Sequence, residues 1–153
     1  MTDALRFAWI AVFGLTIAVA SPTFAAEDEI YTGTFSNTAV SGYDPVAYFR
    51  EGRAVKGTDD FAYTWKGANW NFSSAENLAA FKANPENFAP QFGGYCAFAV
   101  AEGHTASADP EVWTIVDGKL YLNYNTEVRS RWKWDVPGNI AKGDKNWPGV
   151  LGR

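Results

Sequence analysis

One cysteine, one histidine and one methionine stand in a chain of 153 residues. The lone thiol, Cys96, excludes an internal disulfide, so a domain of this size must hold itself together by packing. The methionine is Met1, which leaves no thioether further along the chain as a soft metal ligand. Positive charge is scarce too, with 13 Lys and Arg against 17 Asp and Glu. Without a basic stripe, nucleic acid is a poor partner, and no Lys/Arg cluster suggests an anionic lipid surface. A phosphate-cradling loop is missing, because Gly93-Gly94 has neither dinucleotide nor P-loop spacing. Asp59-Asp60 are neighbours and read as a solvated loop, not as carboxylates opposed across a glycoside. Internal repeats and low-complexity segments are absent as well.

The one long apolar run, Phe7 to Ala20, is about 14 residues, short of the roughly 20 that span a bilayer. Arg6 precedes it, Ser21-Pro22 break it, and Thr23, Ala25 and Ala26 supply small residues. This is the pattern of a secretory signal peptide cut after Ala25. No Arg pair precedes the run, which favours general secretion. The expectation is a periplasmic or secreted protein with no stable membrane insertion after cleavage. Its parts would be a signal peptide over 1–25, an extended polar arm over 26–42, one domain over 43–148 and a short tail over 149–153.

What the chain has in quantity is aromatic: 7 Trp, 7 Tyr and 11 Phe. Phe61, Tyr63 and Trp65 alternate, Lys66 to Asn69 reads as a turn, and Trp70 and Phe72 resume the alternation, which predicts a hairpin. A second hairpin is predicted around Asp117-Gly118, a dipeptide suited to a type I′ turn. Asp44 before Pro45 predicts a capped short helix to about Arg50. Ser73 and Glu76 have capping-box spacing before a helix ended by Pro85. Residues 94–102 read as helical, with Gly103 as the terminator. Asn125 caps a further helix through about Trp134, broken at Pro137-Gly138, and a last short helix runs through Ile140. Trp132 and Trp134 cannot both face the core. Asn123 is expected to point away from the core on its strand. The fold class is therefore α+β, a small antiparallel sheet of hairpins packed with several short helices.

The ordered set GYDPVAYF, then an aromatic hairpin, then WNFSSAENLAAFKANPENF, with DGKLYLNYN downstream, resembles the YHS domain family. It is most similar to the exported bacterial stand-alone branch. The resemblance implies a YHS, treble-clef-like fold and a heavy-metal role, copper first. Metal-binding members carry cysteines at positions that fall here on Ala47, Ser73 and Asn77. A methyl, a hydroxyl and an amide replace three thiolates, and none is a strong soft donor. Ser73 is left with a helix-capping role.

Cys96 and His104 are then the candidates for chemistry. Cys96 among Tyr95, Ala97, Phe98 and Val100 fits a buried small hydrophobe. The pair could instead capture a soft ion such as copper, with help from Glu102, Asp109 or Asp44. A third possibility is a reactive thiol near a helix N-terminus, served by His104 and Asp109. The leading expectation is an exported, non-enzymatic binding protein that handles copper through Cys96 and His104. The alternative is a metal-free scaffold that binds a partner or small ligand in an aromatic cleft.

Overall fold

The computed structural model describes residues 25–152. The predicted signal peptide, Ala25 apart, lies outside the described residues. The fold is α+β, as expected: two antiparallel two-stranded sheets and five short α-helices. In chain order these are α1 (Ala47–Arg50), β1 (Thr58–Trp65), β2 (Ala68–Phe72), α2 (Ala75–Ala83), α3 (Ala97–Ala101), β3 (Asp109–Val116), β4 (Lys119–Asn123), α4 (Thr126–Trp132) and α5 (Val136–Asn146). No helix of the described residues is long and apolar enough to cross a membrane.

Both hairpins close through two residues in left-handed backbone, as type I′ turns require. Lys66 and Gly67 have φ of 49° and 76°, and Asp117 and Gly118 have 49° and 73°. The first turn is therefore shorter than predicted. Ala68 and Asn69 already belong to β2, where they pair with Trp65 and Thr64.

Alternation along β1 and β2 sends Phe61, Tyr63 and Trp65 toward Trp70, Phe72 and Phe81. Phe81 of α2 is fully buried. Its ring lies 4.9 Å from that of Trp70 and 5.1 Å from that of Phe72. Val46 and Tyr48 from the first turns of the chain join the same core, as do Leu120 and Leu122 of β4. A second core gathers Phe92, Tyr95, Val100, Tyr121, Trp132 and Leu151. Strand β4 thus sits between the two, with Leu120 and Leu122 on one side and Tyr121 on the other. The second core depends on a close approach at Gly143 of α5. A Cβ there would lie 2.5 Å from the Phe92 ring.

The polar arm is docked along the domain. Ile30 is buried, the Tyr31 N–H donates to the Gly93 carbonyl at 2.9 Å, and the Asn69 N–H donates to that of Asn37 at 2.8 Å. The breaks after Trp132 also differ from the reading of the sequence. Pro137 opens α5 instead of ending a helix, because Asp135 caps it by accepting from the Gly138 N–H at 3.0 Å. Trp132 is buried and Trp134 is 82% exposed, which resolves the pair.

Tyr48 ties the hairpins together. Its hydroxyl donates to the Pro110 carbonyl at 2.7 Å, and its ring meets Trp113 edge-on at 5.4 Å. Burial, first, and then nearby Tyr43 and Asp109 push its phenol far above the usual value of 10.0. Tyr95 is pushed up to about 12, mainly by burial. For an acid whose folded pKa is raised, the unfolded chain ionises first. The stabilisation is therefore complete below pH 10 and falls as pH rises above it. Each such tyrosine steepens the fall by about 1.4 kcal/mol per pH unit. Urea unfolding from pH 8 to 12 should show stability dropping above pH 10, and more shallowly in Tyr48→Phe. Equal slopes in the two proteins would contradict this.

Candidate functional site

The centre of the first core is polar at one point. Asp44 is fully buried, and its carboxylate accepts five hydrogen bonds. Oδ1 takes the backbone N–H groups of Val46 at 2.8 Å and Ala47 at 3.3 Å, the opening of α1. Oδ2 takes the Ser73 N–H at 2.9 Å, the Ser73 hydroxyl at 2.7 Å and the Asn77 side-chain amide at 2.7 Å. The Asn77 carbonyl oxygen in turn accepts from Arg50 at 3.1 Å. A buried charge is tolerated when it is fully hydrogen-bonded, and bonds to an ionised acceptor are the strong ones. This carboxylate ties α1 to the junction of β2 and α2, which lies about thirty residues along the chain.

Ser73 does not cap α2. The cap is Ser74, whose hydroxyl accepts the Asn77 N–H at 3.1 Å, while Ser73 is drawn off to Asp44. Ala47, Ser73 and Asn77 therefore do converge, on the Asp44 carboxylate. A methyl, a donated hydroxyl and a donated amide do not fit a soft cation, and the carboxylate between them already has its donors. Among the described residues no group of three His, Cys, Asp or Glu side chains could hold a metal ion.

Residues 46–92 match the family model of the YHS domain. Over this stretch the chain is similar to the YHS domain. No curated protein and no solved structure matches the chain. The matched stretch runs from α1 through the first hairpin and α2 to Phe92. It thus holds Ala47, Ser73 and Asn77 but ends before Cys96. Leu120 and Leu122, from beyond it, complete the first core.

Cys96 and His104 lie outside that stretch, on one cleft of about 410 Å³ between α3 and α4. Helix α3 begins at Ala97, later than predicted, because Phe92 and Gly93 are in left-handed backbone with φ of 55° and 62°. Cys96 therefore stands at the helix entrance, 1% exposed. Its N–H donates to the Ala106 carbonyl at 2.9 Å, and the His104 N–H donates to that of Ala99 at 3.1 Å. These two bonds fold the loop after α3 back over the cleft. The Cys96 thiol lies 3.6 Å from the side-chain oxygen of Asn123, to which the Phe98 N–H also donates at 3.2 Å. The hydrogen-bond partner of the thiol is thus an amide, which cannot take its proton. The expected outward position of Asn123 is corrected: it is fully buried, and its amide nitrogen has no partner among the described residues.

Glu102 and His104 are exposed where they line the cleft, as are Tyr124 and Arg131. Phe98, Ala99, Ala106 and Val128 give it apolar walls. Asp44 is bonded to Val46, Ala47, Ser73 and Asn77, and neither it nor Asp109 lines this cleft, so of the carboxylates considered for Cys96 only Glu102 does. Sequence reasoning missed Arg131. The available signal was its place three residues after Val128 on a helix, which puts both on one face.

Removing the Asp44 carboxylate would leave buried donors unpaired at about 1–3 kcal/mol each. Asp44→Ala should lose more than ~3 kcal/mol in urea unfolding, whereas Ser74→Ala, which removes only a cap, should lose about 1 kcal/mol. An Asp44→Ala protein as stable as the parent would show that the network does not hold the fold.

Proposed function

We propose that the protein is a non-enzymatic binding protein that takes a small ligand or partner segment in the cleft between α3 and α4, not a metal at the YHS positions. The observation that carries this is the pairing of two facts. The positions where the resemblance puts thiolates are closed by hydrogen bonds to Asp44. The cleft beside them in the chain is open, apolar-walled and rimmed with charge. Clefts of about 300–1,000 Å³ with few polar groups suit small ligands. The amide partner of Cys96 supports a packing role for the thiol. The apolar run of residues 7–20 supports export, with the periplasm or the exterior as the place of action.

A second reading keeps metal handling. Cys96, His104 and Glu102 line one cleft, which favours capture of Cu(I) by the thiolate together with the imidazole. A Cu(I) competition titration on the reduced protein, with Cys96→Ala and His104→Ala, separates the two. The expected result is binding no tighter than that of Cys96→Ala. Tight one-to-one binding that disappears in Cys96→Ala would replace the first reading with the second.

A further inference from the structure

The geometry points to a small amphipathic monocarboxylate as the ligand of the α3–α4 cleft, its apolar body against Phe98 and Val128 and its carboxylate on Arg131. This rests on the cleft being the binding site.

Arg131 carries the inference. Its guanidinium lies over the Phe98 ring, 5.0 Å from the centroid. Among the described residues it holds no carboxylate and no carbonyl. Stacking of this kind fixes the plane of an arginine while leaving its N–H edge free, and that edge matches a carboxylate in two parallel bonds. A side chain already ordered by the ring loses less freedom when it binds. The cation therefore stands at the mouth of an apolar space with its donors unused.

The other lining groups narrow the choice. Ala99, Ala106 and Val128 offer nothing polar from their side chains, which calls for a hydrocarbon or ring body. Glu102 lines the same cleft and would repel a second negative charge, so a monoanion fits better than a dianion. A head group of positive charge would face Arg131 unfavourably.

The test is a calorimetric titration of the protein with octanoate, 1-octanol and octylamine, followed by methyl NMR on Ala99, Ala106 and Val128. Octanoate should bind most tightly and shift those methyls. Arg131→Gln, at an exposed position, should weaken octanoate about fivefold or more and leave 1-octanol unchanged. Arg131→Lys should fall between. Octanoate and 1-octanol binding alike, with Arg131→Gln changing neither, would overturn the carboxylate assignment while the cleft itself stands. Methyl shifts for none of the three probes would overturn both. Octanoate bound with shifts elsewhere would place it on another surface and overturn the inference as well.

Discussion

A single buried carboxylate organises the first core. Asp44 would be costly inside an apolar cluster without compensation, since isolated buried charge is disfavoured by several kcal/mol. It is met by backbone groups at the start of α1 and by Ser73 and Asn77 at the β2–α2 junction. Once these donors are satisfied, Val46 and Tyr48 are fixed against Trp70, Phe72 and Phe81. Tyr48 then reaches Pro110 and orients the second hairpin. The constraint thus passes from a polar point through an aromatic core to the strand that supports the cleft.

That strand explains how two halves of the chain act together. Leu120 and Leu122 close the first core, Tyr121 enters the second core against Trp132 at 5.3 Å, and Asn123 anchors the entrance of α3. The cleft therefore lies between α3 and α4, with Asn123 of β4 holding the entrance of α3 and the loop after α3 drawn back by backbone bonds of Cys96 and His104. Cys96 and His104 line one cleft because of this loop, although eight residues separate them along the chain.

Much of this was legible from local chemistry. Asp117-Gly118, Asn125 and the alternation of Phe61, Tyr63 and Trp65 each specify their structure through neighbours alone. The misreadings of Ser73 and Asn123 share a physical cause, a distant partner. Ser73 satisfies the local rule for a cap, yet a charged acceptor from residue 44 outcompetes the helix end, and Ser74 takes over. Asn123 was assigned outward because alternation presumes one wet face, whereas β4 is covered on both sides. Helix α3 starts late because left-handed residues at Phe92 and Gly93 turn the chain first. Spacing puts Arg131 on the helix face of Val128, but its contact with the Phe98 ring exists only in the assembled cleft.

The direct test of the central claim, that hydrogen bonds to Asp44 stand where metal ligands would be, is thermal unfolding of the Cys96→Ala protein with a chelator, with Cu(I) and with Zn(II). The cysteine is removed so that only the YHS positions are in question. A ligand bound to the native state alone would raise Tm by mass action, by an amount set by its affinity. The expected result is one Tm across all conditions. A Tm lowered by the chelator, or raised several degrees by either ion, would contradict the account and return a metal to the Asp44 cluster.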